Sequence, residues 1–429
     1  VHCSTYNASA MMRGAGSITF VSGGVLVLVA WALAATALPT PYSALTSVLA
    51  EPLGLLLVVL AWRFRRSRLA IAATVVGIAN LLLRGLFVQQ LGQTTSIELS
   101  LLAFLFAFNL GVVVLLRDHP LAHPRTLVHA TAVTVQLPIA AGLLHVVGQA
   151  TSASAPLSSW LRLLESRDLI LLMFLIAAVF AALAFAARRG TFEVAVAWVL
   201  VAGALAFLGG RGVTGAPLLM AAAQLTLLFA LVEDSYRLAY HDGLTGLPGR
   251  RAFDEAMRLL DGDHTIAMVD IDHFKRFNDR HGHEAGDQAL RMVADELSRV
   301  GGGGRAYRYG GEEFAVLFPG VSIADARDAI EQLRAAVAKR GFSIRSPKRP
   351  RKKPERPIRS GKPVQRVTLT ISAGLAERTL KNPDSGAVLR AADAALYRAK
   401  RAGRNRVLAQ GLRARRRRTA TRGSNAPKV

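Results

Sequence analysis

Residues 307–318 read YRYGGEEFAVLF and decide how the second half of the chain folds. Gly310 and Gly311 lie between two short runs, AYRY and FAVLF, that have the composition of paired strands. Glycine adopts the positive φ values that tight turns often need, so the two glycines are expected to close a hairpin. The stretch therefore predicts a β-hairpin with two adjacent carboxylates, Glu312 and Glu313, directly after its glycine turn.

A second strand is predicted over 265–271, where TIAMVDI runs apolar until it ends in acid. A continuous apolar run of this kind is typical of a central strand. Because side chains alternate along a strand, Asp270 and Asp272 are expected on one face and Ile271 on the other. If the hairpin lies beside this strand, its two glutamates reach the same edge of the sheet.

The remaining elements of this half alternate short strands with amphipathic helices, a pattern typical of an α/β domain. The predicted helices span 285–299, a segment that begins at Ser322, and 385–402. A strand is predicted over 367–374, and a shorter one near Val407.

Three or four carboxylates crowded together repel one another unless a cation lies between them. Hard oxygen ligands suit Mg²⁺ or Mn²⁺, and Lys275, Lys400 and Arg404 supply the positive charge expected near a polyphosphate. The alternative interpretation, an acidic turn on a solvated hairpin, accounts for one EE pair. It does not account for DIDHFKRFND, HGHEAGD, RYGGEEF and YRAKRAGRNRV all occurring in one domain.

These four blocks resemble the GGDEF-type diguanylate cyclases of bacteria, over roughly residues 240–410. The resemblance implies a palm-like central sheet flanked by helices, related to polymerases and nucleotide cyclases. It also implies that two GTP molecules are joined into cyclic di-GMP with release of two pyrophosphates. Because the product is symmetric and each domain carries one set of motifs, catalysis implies a homodimer.

The resemblance also implies roles for individual residues. By the family's pattern, Asp270, the backbone carbonyl of Ile271 and Glu312 hold the metal ions. Glu312 also helps to deprotonate the ribose 3'-hydroxyl, with Glu313 assisting nearby, and Arg308 supports the hairpin. The implied substrate contacts are Asn278 and Asp287 for guanine, His283 for another part of the substrate, and Lys275, Lys400 and Arg404 for phosphates.

Two places depart from the family's pattern. Members often carry an Arg-x-x-Asp site for product inhibition just before the signature, where this chain reads GGGG at 301–304, so we expect no inhibitory product site. Gly249 stands where an asparagine is usual, after the turn that contains Asp242, Leu244 and Thr245. Glycine tolerates the same turn geometry, so we expect a cost in stability rather than lost activity.

The first half of the chain has a different composition. The 429 residues are 52% apolar with a net charge of +24 and a mean hydropathy of +0.32, and Lys and Arg are sparse before residue 240. We predict a multi-span α-helical membrane region over 17–232, with about eight helices, because its apolar runs approach the ~20 residues that a bilayer requires. These runs are 17–38, 43–62, 69–91, 97–116, 126–148, 168–187, 192–209 and 213–232, after an N-terminal tail over 1–16.

Basic loops predict the orientation, because Lys and Arg favour the cytoplasmic side. RFRRSR at 63–68, RDHPLAHPR at 117–125 and RRG at 188–190 fall on alternate loops, so both ends of the helical region are expected inside. The linker over 233–246 and a catalytic domain over 247–410 are then cytoplasmic, in a multi-pass protein of the bacterial inner membrane.

Polar residues are rare at membrane depth. Asn80, Arg84 and Asn109 are either functional or packed between helices, and we favour packing. Spans almost free of Asp and Glu offer no proton path, so a sensory or anchoring role is favoured over transport.

Two basic segments flank the last elements. The Pro-rich stretch over 344–366 is predicted to be a disordered insertion, and a basic tail covers 411–429. Contact with anionic lipid is favoured over nucleic-acid binding, because a membrane anchor is nearby. Cys3 is the single cysteine of the chain, so neither an internal disulfide nor a thiol mechanism has support.

The sequence has three interpretations in terms of function. A membrane-anchored diguanylate cyclase is favoured, because the acids and guanine contacts are intact. The second is a GGDEF-like protein that binds GTP or a partner without making product, and the third is a transporter with a regulatory domain.

Overall fold

The computed structural model describes residues 17–36, 40–89, 96–119, 123–124, 126–136, 167–209, 212–343 and 366–410. The chain divides into two compact units, Val1–Tyr236 and Arg237–Val429. Both predicted tails and nearly all of the insertion predicted over 344–366 lie outside the described residues.

The first unit is helical, as predicted. Five helical segments are long and apolar enough to cross a membrane: Ile18–Ala35, Ser67–Arg84, Asp168–Arg188, Thr191–Leu208 and Gly215–Tyr240. The predicted number of about eight spans stays a prediction. The helices described there are Ser17–Ala35, Thr40–Arg63, Ser67–Gln89, Ser96–Leu115, Arg167–Arg188, Thr191–Leu208 and Gly212–Tyr240, and residues 126–136 are also helical.

The inside of this unit contains many alanines beside large apolar residues such as Phe106 and Leu110, and other large apolar residues face outwards. Ala72, Ala103 and Ala195 are fully buried, which lets the helix backbones approach closely. Leu55 and Leu183 are 69% and 60% exposed. A large apolar surface of this kind is typical of helices that face lipid.

An arginine cluster joins several helix ends of the first unit. Glu193 is 1% exposed and accepts hydrogen bonds from Arg68 at 2.8 Å and Arg188 at 3.4 Å. Arg66 pairs with Asp234 at 2.5 Å. Each arginine comes from one of the predicted basic loops or its edge, so these charges are partly neutralised in the fold. The members of the cluster are Arg66, Arg68, Arg188, Asp118, Glu193 and Asp234.

The polar residues predicted at membrane depth behave differently from one another. Arg84 pairs with Glu51, and Asn109 donates a hydrogen bond to the side-chain oxygen of Gln136 at 2.9 Å. These contacts join neighbouring helices, in agreement with the packing interpretation. Asn80 is fully buried, and its carboxamide has no hydrogen-bond partner among the described residues.

The second unit is built on a five-stranded sheet in the order β2-β3-β1-β6-β7. β1 is central and wholly buried, and it runs antiparallel to both β3 and β6, while β7 is parallel to β6. The strands are β1 (His264–Ile271), β2 (Arg305–Arg308), β3 (Glu313–Pro319), β4 (Phe342–Ser343), β5 (Arg366–Val367), β6 (Ile371–Glu377) and β7 (Val407–Ala409). The helices are α1 (Arg250–Arg258), α2 (Phe274–His281), α3 (His283–Leu297), α4 (Ile323–Lys339) and α5 (Ser385–Arg401).

Two apolar layers cover the sheet, because alternate residues of β1 face opposite sides. Val269 and Ile271 belong to the layer that contains residues of α3 and α4. Ile266 and Met268 belong to the other layer, with residues of α1 and α5. The predicted α/β fold, a central sheet flanked by helices, is confirmed.

The strand predicted over 367–374 is wrong as a single element. Arg366–Val367 pairs with Phe342–Ser343 in a separate two-stranded ribbon, and only Ile371–Glu377 enters the main sheet. The break occurs where the backbone carbonyl of Thr370 accepts a hydrogen bond from the amide of Asp272. The sequence is β-like on both sides of this break, so its composition could not reveal the change of partner.

Helix α5 lies unusually close to β6. A Cβ atom built on Gly374 would lie 1.9 Å from the amide nitrogen of Leu396 and 2.3 Å from the carbonyl oxygen of Ala392. Only glycine permits this approach. Lys400 lies one turn after Leu396, so the close approach also fixes the height of Lys400 above the sheet.

Candidate active site

The hairpin signature forms the turn between β2 and β3. Its turn is closed by Tyr309 and Gly310, whose amides both donate to the carbonyl of Glu313, at 2.9 and 3.0 Å. The predicted positive φ at Gly310 and Gly311 is wrong, because neither glycine has a positive φ. Gly310 instead leaves room for a side chain, since a Cβ there would lie 2.9 Å from Oε2 of Glu313.

Arg308 ties this turn to the start of the second unit. Its guanidinium pairs with Asp242 at 2.7 Å and donates to the carbonyls of Gly310 and Gly311 at 3.2 and 2.7 Å. Burial pushes the pKa of Asp242 upwards, but hydrogen bonds from Thr245 and Arg308 outweigh it and leave the pKa below its usual value. The predicted supporting role of Arg308 is consistent with these contacts.

Replacing Arg308 by lysine tests this support. Arg308→Lys keeps the charge, but an ammonium cannot reach the carboxylate and both carbonyls in the planar pattern of a guanidinium. We expect the free energy of unfolding of the second unit to fall by about 1 kcal/mol, because partly buried acceptors lose some of their hydrogen bonds. Urea denaturation measures this, with the exposed Arg299→Lys as the control. Equal stability of the two variants would contradict the role.

An acidic edge forms where β1 meets β3. Asp270 lies opposite Glu313 in the strand register, and the amide of Ile271 faces the carbonyl of Glu312 at 3.4 Å. Nζ of Lys400 lies 2.8 Å from Oδ2 of Asp270, whose side chain is 5% exposed. The structure therefore brings together Asp270, Ile271, Glu312, Glu313 and Lys400 from three separate parts of the sequence.

Burial disfavours the ionised forms of two acids at this edge, Asp270 and Glu312. Burial raises the pKa of Asp270 to about 6, although Lys400 lowers it, and the charges of Glu312 and Glu313 raise it further. Burial also raises the pKa of Glu312, against the lowering effect of Lys400. Carboxylates that are buried and close together in this way are stabilised by a cation.

The donor set fits a hard divalent cation only if a backbone oxygen is included. Among the described residues, no three His, Cys, Asp or Glu side chains are grouped as a metal site. The two acids Asp270 and Glu312 supply oxygen ligands, and the ammonium of Lys400 already takes a cation's place beside Asp270. A site of two carboxylates and the carbonyl of Ile271 suits Mg²⁺ or Mn²⁺.

Titration of the metal-free second unit tests the electrostatics of the edge. We expect the carboxyl carbon of Asp270 to titrate near pH 6 in nuclear magnetic resonance, as its pKa of about 6 implies. In Lys400→Ala the pKa rises further, because the cation that favours the ionised form is lost. Lys381→Ala, on an exposed loop, is the control. A pKa near 4 for Asp270 without metal would contradict the arrangement.

The two residues matched to guanine lie on neighbouring helices. Asn278 is on α2, and a Cβ built on Gly286 of α3 would lie 1.9 Å from Oδ1 of Asn278. This oxygen is buried and has no hydrogen-bond partner among the described residues. Asp287 follows Gly286 directly and is half-buried. Asn278 Oδ1 and the carboxylate of Asp287 are acceptors, which suits the N1–H and amino donors of guanine.

The remaining predicted contacts are cations or exposed groups. Lys275 is exposed in the first turn of α2, directly after β1, and His283 is exposed at the first position of α3. Arg404 follows α5, in the loop that leads to β7. No described residue forms an ion pair with Lys275 or Arg404.

Sequence reasoning grouped Asp272 with the acidic edge, but the structure gives it other partners. Its carboxylate is 6% exposed and accepts hydrogen bonds from the hydroxyls of Thr370 at 2.7 Å and Ser372 at 2.6 Å. It also accepts one from the amide of Asn405 at 3.0 Å. The sequence signal for this arrangement is a pair of hydroxyl residues, Thr370 just before β6 and Ser372 within it. Their partner follows from the order of the strands in the sheet, which the sequence does not show.

Comparison with known proteins finds similarity over the part of the chain that carries this site. Residues 239–354 match the family model described as diguanylate cyclase, GGDEF domain. The chain is 42% identical over 185 residues to diguanylate cyclase DgcP of Pseudomonas aeruginosa, covering 41% of this chain and 25% of that protein. It is 39% identical over 174 residues to diguanylate cyclase VdcA of Vibrio cholerae, covering 40% of this chain and 47% of that protein.

Solved structures also match part of the chain. The coiled coil and GGDEF domain of DgcB from Caulobacter crescentus, in complex with c-di-GMP, is 36% identical, with a TM-score of 0.38. The match covers 44% of this chain and 94% of that one. The chain spans 25% of the length of DgcP and 47% of the length of VdcA, the two curated relatives above.

Proposed function

We propose, from the premise that residues 239–354 form a GGDEF domain, that this chain is a diguanylate cyclase. In this proposal the second unit condenses two GTP molecules into cyclic di-GMP and releases two pyrophosphates. The observation that carries the proposal is the acidic edge: two acids with raised pKa values, Asp270 and Glu312, beside the ammonium of Lys400.

A divalent cation is part of the proposal. Asp270, the carbonyl of Ile271 and Glu312 would hold Mg²⁺ or Mn²⁺. Such an ion, when bound, neutralises phosphate charge and lowers the pKa of the attacking ribose 3'-hydroxyl.

The residues of the chain then do the positioning that phosphoryl transfer requires. Asn278 and Asp287 accept hydrogen bonds from guanine, and His283 contacts the substrate. Glu312, assisted by Glu313, takes the proton from the 3'-hydroxyl. Glu312 is suited to this task by its place beside Asp270 at the end of the hairpin turn. The phosphates are contacted by Lys275, Lys400 and Arg404.

The assembly and location are proposals as well. The symmetric product needs two GTP molecules facing each other, so the active form is a homodimer. The five apolar helical segments support the proposal that the chain is a multi-pass protein of the bacterial inner membrane, with the catalytic domain in the cytoplasm. There the membrane-embedded region senses an input and controls catalysis, and the basic segments contact anionic lipid rather than nucleic acid. The four glycines at 301–304 make an inhibitory product site unexpected.

The test is product formation by the full-length protein in lipid nanodiscs. Incubation with GTP and Mg²⁺, followed by chromatography of the nucleotides, should give cyclic di-GMP and pyrophosphate. GTP binding without any product, even when dimerisation is forced by a fused coiled coil, would instead support the alternative, a non-catalytic GTP-binding or partner-binding protein.

A further inference from the structure

The loop after α5 has an unusual backbone. Gly403, Arg404 and Asn405 are consecutive, and their φ values are +110°, +61° and +45°. Left-handed conformations are unfavourable for residues with a Cβ atom, and two such residues in succession are uncommon. The loop therefore depends on contacts that hold it in this shape.

Two contacts hold the loop from opposite sides of Asn405. The amide of Asn405 donates to Oδ2 of Asp272 at 3.0 Å, and its side-chain oxygen accepts from Arg334 at 2.6 Å. Arg334 is itself fixed by Glu331 at 2.6 Å. The amide of Arg404 donates to the carbonyl of Ala399 at 3.1 Å, which joins the loop to the end of α5.

The carboxylate of Asp272 is well suited to act as the anchor. It is almost fully buried, and two hydroxyls of the β6 region, those of Thr370 and Ser372, fix its orientation. No described residue pairs with it as a cation. A buried carboxylate that is satisfied only by neutral donors makes strong, charge-assisted hydrogen bonds to them.

Arg404 has the opposite character. Its backbone is fixed, yet no described residue accepts a hydrogen bond from its guanidinium or pairs with it. A cation with a fixed backbone and an unpaired head group is arranged to meet an anion from solution.

We infer that Asp272 is a positioning residue, which fixes the loop over residues 403–405 so that Arg404 can bind the phosphates of the nucleotide. This inference rests on the proposed function. It assigns different roles to two aspartates that are two positions apart in the sequence. Asp270 belongs to the acidic edge, and Asp272 acts through the loop without touching metal or substrate.

Steady-state kinetics of the full-length protein in nanodiscs test the inference. We expect Asp272→Asn to raise the KM for GTP about tenfold, as for the loss of one charge-assisted hydrogen bond, with kcat changed less than about threefold. Arg404→Ala should raise the KM at least as much. The KM of the double variant should be no higher than that of Arg404→Ala alone, because both changes remove the same contact, the one between Arg404 and the phosphates.

Two further variants sharpen the test. Asp384→Asn is the matched control: Asp384 caps α5 by accepting from the amide of Ala387 at 2.7 Å, and asparagine caps a helix equally well. We expect its KM to equal that of the wild type. If Asp272→Asn does not fold, Arg334→Ala on the surface of α4 replaces it, with a smaller rise of about threefold in the KM, since Arg334 contacts the side chain of Asn405 and not the backbone of the loop.

The outcomes separate the possible errors. Multiplicative effects of Asp272→Asn and Arg404→Ala would overturn the inference, and so would a higher Mg²⁺ requirement in Asp272→Asn, which would make Asp272 a metal ligand. If the wild type makes no cyclic di-GMP, the proposed function fails. The inference then stands or falls on equilibrium binding of a fluorescent GTP analogue, which both variants should weaken, Arg404→Ala at least as much as Asp272→Asn.

Discussion

Glu312→Gln should abolish formation of cyclic di-GMP, with a fall in kcat of at least about a thousandfold, the size of effect seen when a group that stabilises transition-state charge is removed. Glutamine has the same shape, but it carries no charge for a cation and cannot accept the proton of the 3'-hydroxyl. The measurement is chromatography of the nucleotide products at saturating GTP and Mg²⁺.

The control is Glu255→Gln, the same substitution at an exposed position of α1. It should have the activity of the wild type. Glu312→Gln should still bind a fluorescent GTP analogue, because the proposed guanine contacts, Asn278 and Asp287, lie on α2 and α3. Activity of Glu312→Gln within tenfold of the wild type would show that the acidic edge is not the catalytic centre.

Gly374→Ala should unfold the second unit or separate α5 from the sheet. The added Cβ would lie 1.9 Å from the amide nitrogen of Leu396, where ordinary contact begins near 3.4 Å, and the obstacle is backbone. We expect the free energy of unfolding to fall by about 3 kcal/mol, the upper range for overpacking. Activity should be lost even at low temperature, because a displaced α5 moves Lys400 away from Asp270. Thermal denaturation and product formation measure the two effects.

Gly386→Ala provides the matched control, because Gly386 lies in α5, the helix that Gly374 of β6 contacts. Its Cβ would meet only side-chain atoms, the nearest being Oδ1 of Asp384 at 3.1 Å. Alanine favours helix more than glycine by up to about 1 kcal/mol, so this variant should be as stable as the wild type or more stable. Equal melting temperatures for Gly374→Ala and Gly386→Ala would show that α5 does not need the close approach.

The sequence predicted the elements whose signals are local. The apolar run of β1 and the N-cap of α4 are both present, with Ser322 accepting from the amide of Asp325 at 3.3 Å. The acids at the end of β1 and at the hairpin also meet as expected, because strand alternation and a short turn leave few other arrangements.

Features that depend on distant contacts could not be predicted in the same way. The turn at Gly310 forms without a positive φ, and its carbonyls accept hydrogen bonds from Arg308, which in turn pairs with the distant Asp242. Asp272 leaves the acidic edge because β6, about a hundred residues later, brings two hydroxyls beside it. The pair of Lys400 and Asp270 likewise depends on how closely α5 packs, which is set by Gly374 and not by the lysine motif.

The arginine cluster of the first unit has a consequence for synthesis. Arg68 and its partner Asp118 are 50 residues apart in the chain, and Glu193 follows Arg68 by 125 residues. In the proposed membrane protein, a growing chain therefore presents Arg66 and Arg68 as uncompensated positive charges while the first helices enter the bilayer. Lys and Arg side chains that are not neutralised favour the cytoplasmic side for their loop. In that proposal the acids, which are synthesised later, neutralise the arginines after the orientation has been set, so one set of side chains would first orient the helices and afterwards join them.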